Sequence, residues 1–148
     1  MPHISEHFTL KELTRSSTAL RHGVSNLPAA DTIDYLRMVT NHILEPVRAH
    51  FNIPYSPSSA YRSLAVNKLV GSSPTSQHVM GQAADFELPT ISNRDLAEWI
   101  KTNLVFDQLI LEFYNENDPK SGWVHCSYHE GNNRNQSLIF DGSTFKEF

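Results

Sequence analysis

The longest set of regularly spaced apolar residues lies in the first third of the chain and predicts an amphipathic helix across residues 31–51. Its buried face follows the three-and-four spacing of a helix: Ile33, Leu36, Thr40, Ile43, Leu44, Val47 and Phe51. Pro46 lies inside this segment, and its missing amide proton removes one backbone hydrogen bond, so we expect the helix to kink or nearly end there. Any fold for this chain must bury one long, interrupted helical face.

A shorter helix is predicted near the N-terminus. Thr9 and Glu12 have the spacing of a capping box, which favours a helix near residues 9–16. Leu20 extends the apolar side of this helix. The polar and turn-forming residues across 16–28 then predict a loop that leads to the long helix.

Helices and then strands are predicted in the rest of the chain. The patterns indicate a short helix over 63–70, a helix that begins at Ser92, an extended segment with two prolines over 53–62, and strands at 83–88, 107–113, 123–128 and 137–140. Helices first and strands later are typical of an α+β fold. We therefore predict N-terminal helices packed on a mostly antiparallel sheet, in one domain across residues 1–148.

Composition excludes several classes of protein. With 12 Lys and Arg against 16 Asp and Glu, the net charge is −4, which provides no basic field for nucleic acid. Cys126 is the only cysteine, so a disulfide scaffold and a cysteine-rich zinc motif are both excluded, and any metal site must use His, Asp or Glu. No stretch reaches the roughly 20 apolar residues of a membrane span. The N-terminus lacks the profile of a signal peptide, so we expect synthesis to end in the cytoplasm, and we expect a monomer.

One segment contains residue types and a spacing that suit a metal site. His78 and Asp85 stand seven residues apart around Gly81, next to a predicted strand. Imidazole nitrogen and carboxylate oxygen both bind zinc, and glycine lets the backbone turn so that the two side chains converge. Such a pair is common by chance, but His125, in the predicted strand 123–128, is a third candidate. Three protein ligands with a fourth position left for water are typical of a catalytic Zn²⁺ site.

Several motifs occur in the order of a known family. They are SAYRS at residues 59–63, Asn67, Val70-Gly71, SQHVMGQAAD at 76–85, EFY from Glu112, and WVHCS at 123–127. Over roughly residues 35–130 the chain resembles the zinc D-alanyl-D-alanine carboxypeptidases, which are peptidoglycan-cleaving metallopeptidases with a hedgehog-like zinc fold. The resemblance implies zinc bound by His78, Asp85 and His125. It also implies Arg62 near the scissile carbonyl or the substrate carboxylate.

The general base is the point at which the chain departs from that pattern. Many relatives carry an acidic residue three positions before the last histidine, where this chain has Gly122. Glu112 becomes the best candidate, because a neighbouring strand could place it across the site from His125. Glu116 and Asp118 are held in reserve.

The expected mechanism follows from these residues. Glu112 takes a proton from water activated by zinc and delivers it to the leaving amine. Arg62 neutralises the oxyanion or a terminal carboxylate of the substrate through its planar fork. Ser76 either hydrogen-bonds the substrate or supports its loop. Asp107, Asp118 and Asp141 lie beside predicted turns, where Asp is common for structural reasons.

The resemblance implies hydrolysis of peptidoglycan stem peptides, either as a D-Ala-D-Ala carboxypeptidase or as an L-Ala-D-Glu type endopeptidase. The alternative is a catalytically inactive, zinc-containing module of the same fold that binds the cell wall or belongs to a phage particle. A compact chain without a signal peptide resembles phage endolysins, which reach the wall through a separately made pore. The position of Glu112 discriminates between an enzyme and a binding module.

Overall fold

The computed structural model describes residues 2–148 as an α+β fold, which confirms the predicted class. The helices are α1 (Leu10–Thr14), α2 (Ser17–His22), α3 (Ala30–Val39), α4 (Glu45–Phe51), α5 (Leu64–Leu69), α6 (Gln77–Met80) and α7 (Asn93–Asn103). The strands are β1 (Ala83–Phe86), β2 (Gln108–Glu112), β3 (Trp123–Ser127), β4 (Gln136–Phe140) and β5 (Phe145–Glu147). Among residues 2–148, no helix has the length and apolar character needed to cross a membrane.

Three consecutive segments form the long helix predicted across residues 31–51. A π-helical turn, Thr40–Leu44, separates α3 from α4, and the N–H of Glu45 donates to the carbonyl of Thr40, five residues earlier. Pro46 lies directly after this wider turn, in the first turn of α4. Proline is tolerated at that position because its missing amide proton costs least in the first turn of a helix. The helix does not end near Pro46 but continues to Phe51, and its irregular part is the π-helical turn just before the proline.

The loop predicted across residues 16–28 is wrong in its first part, which forms α2. Ser16 caps this helix by accepting a hydrogen bond from the N–H of Ala19 at 3.1 Å, and Gly23 ends it at φ +64°. Ala19 is buried, but Leu20 is 82% exposed and does not extend the buried side of α1. A helix this short with one buried residue has no apolar stripe that spacing can detect.

The sheet has the strand order β1-β3-β2-β4-β5. Three of its four pairings are antiparallel, and the exception is the parallel pair β2 and β4. The edge strand β5 was not predicted, because all three of its residues are exposed and show no alternation of apolar and polar side chains.

The two faces of the sheet have different environments. One face packs on the helices and is fully buried at Ala84, Phe86, Leu109, Leu111, Val124 and Cys126. Because side chains alternate along a strand, the residues between them point to the opposite face. That opposite face carries Asp85, Ile110, Glu112, Trp123 and His125. The apolar face therefore fixes the sheet against the helices, and the opposite face of the sheet forms the floor of a cleft.

Candidate metal centre and cleft

A short helix and a glycine turn position the first two candidate ligands. Ser76 caps α6, and its Oγ accepts a hydrogen bond from the backbone N–H of His78 at 3.2 Å. Gly81 ends α6 at φ +76°, and a Cβ atom there would lie 2.9 Å from two atoms of Thr32. Only glycine fits this turn without displacing its neighbour. The chain then enters β1, which carries Asp85.

The strand register brings the third candidate ligand to the same place. Asp85 on β1 is the antiparallel partner of His125 on β3. His125 Nδ1 lies 2.9 Å from Asp85 Oδ1, and His78 Nε2 lies 3.3 Å from the same oxygen. The potential ligand atoms of the three residues all lie within 4.8 Å of one another. The fold therefore gathers the three residues that the sequence singled out, although they are separated along the chain.

The hydrogen bond of His78 to the backbone sets its tautomer. Its Nδ1 lies 2.6 Å from the carbonyl oxygen of Ala60. A carbonyl oxygen only accepts, so Nδ1 carries the proton and Nε2 of the neutral ring carries a lone pair. This lone pair faces Asp85 Oδ1, an arrangement that is repulsive unless a proton or a metal ion lies between the two atoms. A ring N–H held by a backbone carbonyl is also the usual support of a metal-binding histidine.

The charge and spacing of the three residues fit zinc. Burial alone raises the pKa of Asp85, but the neighbouring His78 and His125 rings outweigh it and hold that pKa below its usual range. An ionised carboxylate and two imidazoles are ligand types that zinc takes, and two ligand atoms of a tetrahedral zinc site lie about 3.3 Å apart. His78 Nε2 and Asp85 Oδ1 are 3.3 Å apart. The three residues leave a fourth position for water or substrate.

Glu112 lies on the same face of the sheet as the three candidate ligands. The pairing of β2 with β3 places Ile110 opposite His125 and Glu112 opposite Trp123. The indole Nε1–H of Trp123 donates to Glu112 Oε2 at 2.8 Å, which orients the carboxyl group and leaves Oε1 outside this bond. Burial raises the pKa of Glu112 above its usual value, and the negative charge of Asp85 raises it further. His125 and Arg62 act in the opposite direction but do not outweigh burial. Glu112 is thus oriented toward the cleft as a carboxyl group with increased proton affinity.

Arg62 reaches the cleft from the extended segment 53–62. Its backbone N–H donates to the carbonyl of His78 at 3.1 Å, which ties the segment to α6. Burial lowers the pKa of Arg62, while the charges of Asp85 and Glu112 raise it. Its Nε is buried and has no acceptor among residues 2–148. Arg62 is one of the residues that line the cleft, so the exposed part of its side chain can meet a bound molecule.

Comparison with known proteins identifies the family. A family model described as Peptidase M15 matches residues 6–127, a range that contains His78, Asp85, Glu112 and His125. The chain belongs to the Peptidase M15 family. M15 peptidases are zinc-dependent, which agrees with the donor set described above. No curated protein matches the chain.

The two acids held in reserve for the general base lie away from the cluster of this M15 protein. Glu116 is 80% exposed at its side chain and contacts Arg94 Nη1 at 3.4 Å. Asp118 accepts a hydrogen bond from the backbone N–H of Lys120 at 3.1 Å, in the loop between β2 and β3. Neither residue lines the cleft around His125. Among the three candidate acids, Glu112 is the one that the fold places beside the metal cluster.

The backbone at Gly122, where the sequence pattern led us to look for an acidic residue, leaves no room for a side chain. Gly122 adopts φ +67°, a conformation that side-chain-bearing residues rarely take. A Cβ atom there would overlap the backbone carbonyl oxygen of Glu112 and lie 2.8 Å from the carbonyl carbon of Phe113. In this backbone an acidic residue at position 122 and Glu112 cannot both keep their places.

We expect Gly122→Ala to destabilise the protein by about 3 kcal/mol or more, because the new methyl group meets backbone atoms that cannot move independently of the sheet. The thermal melting temperature of this variant, compared with that of Gly131→Ala, measures the effect. Gly131 also has a positive φ of +81°, but no atom lies within 4 Å of the position of its Cβ. Equal melting temperatures for the two variants would contradict the steric explanation.

The cleft above the sheet has a volume of about 840 Å³. Phe113, Trp123, Phe140 and Phe145 line its aromatic end, where the rings of Phe140 and Phe145 stack with centroids 4.3 Å apart. No sequence motif marks Phe140 and Phe145, because the pairing of β4 with β5 is what brings them together. The volume is within the usual range for small-molecule and peptide sites, roughly 300–1,000 Å³.

A polar cluster lines another part of the cleft and was also missed. Asp107, interpreted from the sequence as a turn residue, is buried and binds the guanidinium of Arg134 with two hydrogen bonds of 2.9 Å. Gln77 donates to the same carboxylate at 2.8 Å. These bonds lower the pKa of Asp107 to about 2. The partners lie up to 30 residues away in sequence, so spacing along the chain gave no signal.

Proposed function

We propose that this protein is a zinc-dependent peptidase that hydrolyses peptide bonds in peptidoglycan stem peptides, acting as a D-Ala-D-Ala carboxypeptidase or an L-Ala-D-Glu type endopeptidase. The observation that carries the proposal is the cluster of His78, Asp85 and His125, whose potential ligand atoms lie within 4.8 Å of one another, with the lone pair of His78 Nε2 directed at Asp85 Oδ1. Membership of the M15 family and the motifs shared with peptidoglycan carboxypeptidases support the choice of substrate.

In the proposed site, His78, Asp85 and His125 hold the zinc ion. Zinc bound in this way supplies Lewis acidity that polarises the peptide carbonyl and lowers the pKa of water toward about 7. The His78 ring is held in place by Ala60, and Asp85 stays ionised, so both residues keep the form that binds a cation. His78 and Asp85 therefore need no change of tautomer or charge to bind the ion.

Glu112 performs the proton transfers in this proposal. Its free Oε1 accepts the proton of the attacking water, while the bond from Trp123 keeps the carboxyl group in position. Burial raises the pKa of Glu112, so the carboxyl group holds the proton more readily and can deliver it to the leaving nitrogen. One residue thus acts first as base and then as acid.

Arg62 stabilises negative charge on the substrate. Arg62 lines the cleft, and the planar fork of its guanidinium suits an oxyanion or a terminal carboxylate. Because Asp85 and Glu112 are close enough to affect its pKa, the guanidinium stays near the reacting centre. The peptide then lies along the cleft between Arg62 and the floor of the sheet.

Arg62→Lys is expected to reduce kcat/KM by about 10-fold or more, because lysine supplies a charge without the planar fork that binds two oxygens. Hydrolysis rates with a stem peptide measure the effect, and zinc content and thermal melting serve as controls. Full activity of the lysine variant would reduce Arg62 to a general charge contact. A loss of stability without a loss of turnover would make it structural.

Mass spectrometry of muropeptides tests the proposed function and identifies the bond. Digestion with the zinc-loaded protein should yield products that carry one added water at a peptide bond of the stem. Release of a single terminal amino acid identifies a carboxypeptidase, and two peptide fragments identify an endopeptidase. Unchanged stem peptides would contradict the proposal and favour the inactive binding module.

A further inference from the structure

Arg134 is an ordered arginine at the wall of the cleft. It follows β3, outside the range 6–127 that matches the M15 family model, and lines the same cleft as His78 and His125. Its side chain is 54% exposed, whereas that of Asp107, its partner, is 6% exposed. The guanidinium therefore has one edge on a buried carboxylate and the remainder open to the cleft.

The buried edge of Arg134 is held by several bonds. Its Nε and Nη2 donate to the two oxygens of Asp107 at 2.9 Å each, and its backbone N–H donates to Asp107 Oδ1 at 3.1 Å. Gln77, which directly precedes His78, donates to Asp107 Oδ2 at 2.8 Å. The same carboxylate thus links Arg134 to the helix that carries a candidate zinc ligand. This link holds the guanidinium at a defined place relative to the metal centre.

The bonds to Asp107 leave donors free. A guanidinium has five N–H donors and no acceptor, and the side-on pair with Asp107 uses two of the donors. The remaining donors are already oriented, so binding a substrate group costs little side-chain entropy. Asp107 offsets the charge of Arg134, so recognition depends on directed hydrogen bonds more than on net charge.

We propose that Arg134 is a specificity-determining residue that binds a carboxylate of the peptide substrate beside the scissile bond. A carboxylate offers two acceptor oxygens to the free N–H donors. A carboxamide offers one oxygen and an NH₂ group, for which arginine has no acceptor. Among the residues that line the cleft, Arg62 and Arg134 are the two cationic side chains, and Arg62 is already assigned to the reacting centre. This inference rests on the proposed function and adds a preference for acidic stem peptides.

Matched pairs of stem peptides test the inference. The members of each pair differ only in a side-chain carboxylate or carboxamide, placed on one or the other side of the scissile bond. We expect the wild-type protein to prefer one carboxylate peptide by about 10-fold or more in kcat/KM, the usual scale for a hydrogen bond to a charged group. Arg134→Lys retains a cation for Asp107 but lacks the fork, so we expect the preference to fall to about 3-fold or less, mainly through KM.

Arg94→Lys is the matched control, because Arg94 pairs with Glu98 and Glu116 outside the cleft. This control should keep the wild-type preference, and thermal melting should show that both variants are folded. If the wild-type protein cleaves the peptides without any preference, or if Arg134→Lys keeps the full preference, the inference is overturned while the proposed function stands. If neither peptide is cleaved, the proposed function fails and the inference with it.

Discussion

Glu112→Gln is expected to reduce kcat by about 100-fold or more while the protein remains folded and retains zinc. In the wild-type protein Trp123 Nε1 donates to Glu112 Oε2 at 2.8 Å. The amide of glutamine has nearly the volume of the carboxyl group, and its oxygen can still accept this hydrogen bond. It cannot accept a proton from water. A fall in kcat of this variant therefore reports the loss of proton transfer and not a change in the packing of the cleft.

Glu116→Gln is the matched control for this experiment. Glu116 lies on the loop that follows β2, is 80% exposed at its side chain and contacts Arg94. Initial rates of stem-peptide hydrolysis for the two variants, with zinc content and melting temperature measured on the same samples, separate the roles of the two acids. Near-wild-type turnover of Glu112→Gln with a large loss in Glu116→Gln would move the general base to Glu116.

His78→Ala and His125→Ala are each expected to weaken zinc binding by more than about 100-fold, since loss of a residue that merely supports a ligand already costs about 10- to 100-fold. Removing either ring leaves two protein ligands for an ion that needs at least three in a catalytic site. In the His78 variant the carbonyl of Ala60 also loses its 2.6 Å hydrogen bond, so a modest loss of stability is expected as well.

Zinc content after equilibration with a competing chelator measures the effect of these two substitutions. His22→Ala is the control, because His22 is an exposed residue in the last turn of α2, outside the metal cluster. The control should retain the zinc content of the wild type. Unchanged occupancy in both His78→Ala and His125→Ala would refute the assignment of the ligands.

Local signals in the sequence predicted much of the fold. The capping box of Thr9 and Glu12 is present, and Ser63 and Ser92 cap α5 and α7 as their positions indicate. These features depend on residues three or four apart, so they are visible along the chain. The elements missed, α2, α6 and β5, are short and bury at most one residue each, so they show no apolar period.

The residue types of the candidate site were visible in the sequence, but the contacts between them were not. The types and order of His78, Asp85 and His125 suggested zinc, but the contact between Asp85 and His125 spans 40 residues and depends on the register of β1 with β3. The family resemblance, rather than any spacing, supplied that pairing. Asp107 shows the limit of local patterns: its position beside a turn gives no sign of its partners Arg134 and Gln77, which are 27 and 30 residues away.

Titration of metal-free protein with zinc, followed by hydrolysis of a peptidoglycan stem peptide, tests the central claim most directly. A single centre built by His78, Asp85 and His125 predicts no hydrolysis without metal, a rise in rate with each addition, and a plateau at one zinc per chain. Full hydrolysis by the metal-free protein, or a rate that does not respond to zinc, would contradict a zinc-dependent peptidase at this site.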